Sequence, residues 1–414
     1  MKLYVEVTHT EGSDMNTGIP RVVRNILKNL LEIGPSRGIS VLPIIFQRGS
    51  LVVVSPERVL KNKATGQDHA NNLWGRWNRF ACKGLVRFRR LLELFGVRLL
   101  VARLVESEPR ERHVLLLLDA SWGYDIWPEI EALKARGLLV VSVIYDLIPI
   151  THSHTVVEPL VRAFEPWLLA QMRFCDSVVC ISRSIASAIQ AYFQQGMVSL
   201  GIARTIPVSS FCLGSDLDFA DGRIVVQRKL LRLKSAASPI FLMVGTIEPR
   251  KNHRDVFNAF KKLWAQGVDA RLVIVGARDW MSEDLLWEIA RHPETEKRLF
   301  LIRDASDADL HWLYVNANAL VMASEVEGFG LPIAEAGRLG LQVICSDIPV
   351  FSEFAGTGTE FFRVGDVDDL ARVIAARVAL PSAPVEGRGG WITWRESAQQ
   401  LLGSIERSVL SANP

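Results

Sequence analysis

Short apolar runs that do not alternate constrain this chain more than any other feature of its sequence. Val114–Leu118, Leu138–Tyr145, Ile240–Val244 and Ala319–Met322 are apolar almost throughout, and none exceeds eight residues. Runs this short suit parallel strands covered by helices on both faces rather than strands with one wet side. Arg271–Val275, Leu299–Ile302 and Val343–Ser346 read the same way, and Val343–Ser346 closes the pattern. Leu3–Val7 alternates as a first strand would, and Val41–Phe46 and Leu51–Val54 follow. Amphipathic helices lie between the runs. Ile19, Val22, Val23, Ile26, Leu27 and Leu30 share one face of Ile19–Leu31, and His253–Trp264 repeats the pattern. Strand, turn and helix in succession predict an α/β chain of doubly wound sheets, with ligands bound at the C-terminal ends of the strands.

At 414 residues the chain is long enough for two such domains. From Asp216 to Pro239 it turns polar and basic, punctuated by Gly222 and Pro239. The expected division is therefore a first domain over 1–215, a linker over 216–238, a second domain over 239–390 and a terminal helical segment over 391–414. The formal net charge of +3 argues against a dedicated nucleic-acid binder. Five cysteines, odd in number and without C-x-x-C spacing, suit a reducing compartment and no structural zinc. His152 and His154 form H-x-H with no further His or Cys to complete a metal site, and read as loop histidines. The N-terminus carries an early acid and no long apolar core, so no secretory signal is expected, and the reading is cytoplasmic.

Two turns carry candidate chemistry. In Ser324–Glu335, S-E-V-E-G-F-G-L-P-I-A-E, the carboxylates Glu327 and Glu335 are separated by seven residues. An apolar strand precedes them, and Pro332 sits where a helix starts without needing that N–H. The N–H groups around Gly328, Phe329, Gly330 and Leu331 would open a helix whose positive end suits a phosphate. Glu335, about one turn in, is placed to accept from a diol such as a ribose. The second turn is G-T-I-E-P-R-K-N, from Gly245 and Thr246 through Arg250 and Lys251, directly after the strand Ile240–Val244. Two cations at such a mouth suit a diphosphate, Arg gripping oxygens bidentately and Lys acting as a mobile point charge. A plain surface charge pair is the other reading of Arg250 and Lys251. In the first half, the runs end in clusters that place Asp119, Trp122, Tyr145, Asp146 and His152 near a shared rim. Asp146 either orients a substrate hydroxyl or caps the loop after it.

These segments resemble the retaining family 4 glycosyltransferases, which carry a Glu-x7-Glu signature and the GT-B fold, an α/β architecture of two facing Rossmann-like domains with a cleft between them. The resemblance is strong over Phe241–Phe354 and looser before it. It implies that Glu327 lies near a donor sugar and that Glu335 binds the nucleotide ribose. Lys251, and Arg250 with it, would stabilise the diphosphate, while Arg303–Asp307 would border the base. T-G-I-P-R-V-V-R is similar to the amino-terminal loop of one branch, which assigns Gly18 an approach to the donor phosphates; a simple turn glycine is the other reading. Y-D-L-I-P resembles that branch's H-D-L-x-P, with Tyr145 in place of His, and puts Tyr145, Asp146 and their neighbours on the acceptor side. The terminal helix Trp394–Val409 would cross back onto the first domain. The implied activity is transfer of a sugar, with a GDP-sugar such as GDP-mannose tried first, to a glycan or lipid-linked acceptor in bacterial surface-polysaccharide assembly. No metal or other cofactor is expected. A non-catalytic sugar-nucleotide-binding subunit and a nucleotide-sugar epimerase are the rival readings.

Residues 74–103 stand apart, with eight basic side chains against the single acid Glu93. Arg76, Arg79, Lys83, Arg87 and Arg90 form one helical stripe, and Trp77, Ala81, Leu85, Phe88, Leu92, Phe95 and Leu99 form another. That is the pattern of a basic amphipathic helix on an anionic membrane surface, or of a helix docked on its own domain.

Overall fold

The computed structural model describes residues 1–14, 18–60, 100–200, 204–217, 226–233, 238–277, 282–354, 356, 358–380 and 391–411. Most of the basic segment 74–103 (residues 74–99) lies outside them, as do 218–225 and 234–237 of the expected linker and the loop 381–390. The chain divides into two compact units. Met1–Tyr145, Val157–Cys212 and Trp394–Pro414 form the first, and Asp146–Val156 with Leu213–Thr393 form the second. The segment Asp146–Val156 thus groups with the second unit, across the boundary expected at 215.

The first unit is built on a seven-stranded sheet: β1 (Lys2–Glu6), β2 (Ser40–Gln47), β3 (Ser50–Val53), β4 (His113–Leu117), β5 (Leu139–Ile144), β6 (Ser177–Cys180) and β7 (Val208–Ser210). Their order is β3-β2-β1-β4-β5-β6-β7, and only β2 and β3 pair antiparallel. That hairpin turns through Arg48 and Gly49, both at positive φ, the twist that two-residue turns need. β4 is buried along its whole length, and β1 from Leu3 onward. The apparent alternation of Leu3–Val7 therefore does not mark a wet face; Glu6 is inside. The helix Gly18–Ile33 buries Val22, Val23, Ile26, Leu27 and Leu30 of the stripe read from the sequence, while Ile19 is half-buried. Ser182 caps the helix Arg183–Leu200, its Oγ accepting from the Ile185 N–H at 3.2 Å. The terminal helix Trp394–Ser411 also belongs to this unit. Its Ala398, Leu401, Leu402 and Ile405 are buried, and ion pairs Arg395–Glu32 (3.3 Å) and Arg37–Glu406 (3.2 Å) flank them.

The second unit carries six parallel strands, β8 (Ile240–Val244), β9 (Arg271–Val275), β10 (Leu299–Ile302), β11 (Ala319–Met322), β12 (Val343–Ser346) and β13 (Thr359–Phe362), ordered β10-β9-β8-β11-β12-β13. This is the doubly wound order, with the winding reversed between β8 and β11. Successive residues serve opposite cores. Phe241 and Met243 pack with Val256, Phe257 and Phe260 of the helix His253–Ala265, while Leu242 packs with Ile333 and Ala336 of the helix Leu331–Arg338. β13 extends the sheet past Val343–Ser346, where the sequence pattern ended. It is an edge strand with only Phe362 buried, so it carries no continuous apolar run.

Candidate active site

The winding reverses between β8 and β11, the place where doubly wound sheets bind ligands at the carboxyl ends of their strands, and both candidate turns emerge there. Gly245 ends β8 at φ 143°, its N–H donating to the Val275 carbonyl at 2.9 Å. A Cβ on Gly245 would lie 3.1 Å from Cδ, Cε and Nζ of Lys251, and one on Gly276 would fall 1.8 Å from the Gly245 oxygen. Glycine at both places is what lets the lysine stem lie across the turn. Pro249–Lys251 makes one 3-10 turn, and Asn252 takes a left-handed conformation (φ 51°) before the helix His253–Ala265. Asn252 Nδ2 donates to the Ala323 carbonyl at 3.1 Å, and the Glu325 N–H donates to the Arg250 carbonyl at 2.9 Å. The two loops are thus stitched together by backbone and amide.

The charges of the two loops then meet. Glu327 Oε1 lies 2.9 Å from Lys251 Nζ and Oε2 lies 2.9 Å from Arg250 Nη1. The Ser324 hydroxyl donates to Oε1 at 3.0 Å. Arg250 also pairs with Glu248 at 2.6 Å and donates to the Val326 carbonyl at 3.2 Å. These side chains are between 10% and 19% exposed. Burial alone would push the Glu327 carboxyl up, but Arg250 and Lys251 prevail and hold it down at about 2. Asp146 is on the other side of that balance. Burial raises its carboxyl to about 6, Arg250 opposing and Glu327 and Glu248 adding to the shift. Asp146 Oδ1 accepts from the Ile148 N–H at 2.9 Å, so it caps its loop and also lies in the field of the cation pair.

Glu335 is on the buried side of the helix Leu331–Arg338, where its Oε2 accepts from the Tyr314 hydroxyl at 2.6 Å. Tyr314 sits on the helix Asp307–Asn316, a partner that no motif marked. Gly330 precedes the helix at φ 95°, and a Cβ there would come 2.8 Å from Phe351. Phe329, expected at the donor through its N–H, buries its ring against Phe354 (centroids 4.3 Å apart). Leu331 and Thr246 are half-buried, Gly328 is buried, and Arg303 is exposed at the end of β10.

The acceptor-side candidates divide between the units. His152, half-buried with Nδ1 2.9 Å from Thr151 Oγ1, groups with Asp146 in the second. In the first, Asp119 and Tyr145 are not rim groups. Asp119 is buried and accepts from the N–H groups of Thr10 (2.6 Å) and Ala120 (2.8 Å); Tyr145 is buried and donates to the Leu118 carbonyl at 2.7 Å. Trp122 packs edge-on against Phe164 and Trp167. Gly18 begins its helix at φ 59°, with open space where a Cβ would be. A short helix, Thr8–Gly12, follows β1. Sequence reasoning missed Glu6, whose Oε1 accepts from the Thr8 N–H (2.8 Å) and the Tyr124 hydroxyl (2.5 Å) at the winding reversal between β1 and β4.

Residues 232–384 match the family described as glycosyl transferases group 1. The chain carries a group 1 glycosyltransferase domain. That domain contains the whole Glu327, Lys251, Arg250 and Glu335 constellation. Over 414 aligned residues, 98% of this chain, it is 30% identical to the serotype-specific mannosyltransferase WbdA of Escherichia coli. The alignment covers 46% of WbdA, so the chain spans about half the length of these curated relatives. Over 131 residues it is 34% identical to the O-antigen chain mannosyltransferase B of the same species, covering 31% of this chain and 34% of that one. Among solved structures, Anabaena HepE in complex with UDP and glucose superposes with a TM-score of 0.61 at 16% identity, covering 98% of this chain and all of that one. Sucrose-phosphate synthase from Thermosynechococcus elongatus gives 0.59 at 15%, covering the whole of both chains. The fold is GT-B, with one Rossmann-like sheet in each unit. Among the described residues no helix is long and apolar enough to cross a membrane, and no cluster of three His, Cys, Asp or Glu is arranged for a metal ion.

Proposed function

We propose that this chain is a retaining glycosyltransferase that moves a hexose from a nucleoside-diphosphate sugar to a glycan or lipid-linked acceptor in bacterial surface-polysaccharide biosynthesis. One observation carries the reading: Lys251 and Arg250 from the turn after β8 converge on Glu327 from the turn after β11, at the winding reversal of a glycosyltransferase domain. The names of the mannosyltransferase relatives support mannose as the sugar and GDP-mannose as the first donor to try.

In this reading the donor's C1–O bond to the β-phosphate breaks, and negative charge builds on that phosphate. The cation pair and the N–H groups opening the helix Leu331–Arg338 meet that charge, so the chemistry asks for no metal. The acceptor oxygen bonds to C1 on the face the phosphate leaves. Its proton passes to the departing phosphate oxygen, which is why no strong side-chain base is assigned. Glu327 contacts the sugar and Glu335 the ribose. Binding of the basic segment 74–103 to the inner face of the plasma membrane rests on its sequence pattern alone.

The test is direct. Melting is followed with GDP-, UDP- and dTDP-sugars, and transfer is followed with labelled donor, acceptor extract and excess chelator. The expected outcome is stabilisation by one nucleotide class and chelator-resistant transfer with the anomeric configuration kept. An inverted product overturns retention. Stabilisation without transfer to any acceptor favours a non-catalytic binding subunit, and isomerisation of the donor without acceptor favours an epimerase.

A further inference from the structure

The two cations of the β8 turn sit side by side but are bound very differently. Arg250 is held by two carboxylates, Glu248 at 2.6 Å and Glu327 at 2.9 Å, and by the Val326 carbonyl, while its own carbonyl is fixed by the Glu325 N–H. A third acid, Asp146, also feels its charge. Among the described residues Lys251 pairs with one acid, through Glu327 Oε1, and the Ser324 hydroxyl donates to that same oxygen. The lysine stem lies over Gly245, at the glycine turn where a phosphate would meet the backbone.

Removing each cation in thought gives opposite results. If Lys251 swings away, Glu327 keeps Ser324 on one oxygen and Arg250 on the other. If Arg250 leaves, Glu248, Glu327 and Asp146 lose the cation they share, and three acids crowd one nearly dry site. A guanidinium in a fixed fork suits the fixed role, and an ammonium on a flexible stem suits the moving one.

We infer that Lys251 alone crosses to the donor diphosphate, while Glu248 and Arg250 form a fixed clamp that holds Glu327 in place during transfer. Glu248 is thereby a positioning residue, acting through Arg250 on the group that contacts the sugar. The inference rests on the proposed function and divides the labour of its cation pair: Lys251 sets nucleotide affinity as well as turnover, and the clamp acts on turnover alone.

Calorimetric titration with GDP, UDP and dTDP, together with steady-state transfer, separates these roles in Lys251→Ala, Glu248→Gln, Glu248→Asp and Arg250→Lys. Lys251→Ala is expected to weaken the preferred nucleoside diphosphate by roughly tenfold or more. Glu248→Gln and Arg250→Lys are expected to keep that affinity within about threefold and the donor KM unchanged, while kcat falls about tenfold. Glu248→Asp, which keeps the charge, is expected to recover part of kcat. Arg250→Lys carries the comparison if Glu248→Gln does not fold. Loss of nucleotide affinity in the clamp variants equal to that of Lys251→Ala overturns the inference, as does wild-type turnover in Glu248→Gln. If the wild-type chain binds none of these nucleotides, the proposed function itself fails. Binding without the split overturns only the division of labour.

Discussion

Glu327 shows how one side chain sets the character of a site. A carboxylate this dry is stable as an anion only because two cations and a hydroxyl surround it. Those cations are in turn kept in place, charged and close to where a phosphate would arrive. Under the proposed function, Lys251→Ala should lower transfer by on the order of 10²–10³, the loss of one preorganised donor to a developing oxyanion. Near-normal turnover in that variant would remove lysine from the chemistry. Both residues were legible in the sequence because each lies in a glycine-marked turn after an apolar strand. Their mutual ion pair was not legible, since 76 residues separate them and strand order decides that they meet. Tyr314 was invisible for the same reason: it sits mid-helix in a neighbouring βα unit, 21 residues before Glu335. Tyr314→Phe deletes a donor to a buried carboxyl and should cost about 1–3 kcal/mol, read from the denaturant midpoint at constant m. A smaller loss of nucleotide affinity would accompany it if Glu335 holds the ribose.

At the scale of elements, the site is a set of close-packed turns rather than a set of free loops. Gly245 and Gly276 touch backbone to backbone, and Gly330 is closed over by Phe351. Gly330→Ala combines a left-handed conformation with a contact of 2.8 Å onto a buried ring. It should destabilise the protein by roughly 1–3 kcal/mol and misplace the N–H groups that open the helix Leu331–Arg338. A thermal melt within a degree of wild type would contradict this. Element positions in the second unit were legible almost throughout, because buried parallel strands leave runs that no loop imitates. Where one face is wet the signal fades: β13 buries only Phe362, and the helix Thr8–Gly12 buries only Thr10. Asn252 escaped notice because asparagine tolerates a left-handed conformation without the glycine that would flag it.

For the whole molecule, the buried acids give the two units different responses to pH. In the first, Glu6 and Asp119 lie at the ends of β1 and β4, and Tyr124, Tyr145, Thr8, Thr10, His9 and Arg24 surround them. Burial raises both carboxyls, and for Glu6 the nearby Asp119 adds to the shift. A raised acid contributes stability that is full below its unfolded value, about 4, and is lost as pH rises through the folded one. In the second unit Asp146, raised to about 6, acts in the same sense. His253 acts against it: buried with Lys251 nearby and held down at about 3, it favours the folded state increasingly as pH climbs towards 6.5. Glu327, held at about 2, contributes fully above about 4 and is silent in this window. From pH 5 to 8 the first unit should therefore lose stability with little counterweight, while the second changes less. Scanning calorimetry should show a single transition near pH 5 that broadens or splits by pH 8. For each kcal/mol lost, the earlier component should fall by roughly 2–4 °C. Glu6→Gln keeps an oxygen for Thr8 and Tyr124, and puts an amide where Glu6 Oε2 has no hydrogen-bond partner among the described residues. It should raise the earlier transition at pH 8 and leave it almost unchanged at pH 5. If the substitution shifts melting equally at both values, the acids at the ends of β1 and β4 do not govern the pH response of this unit.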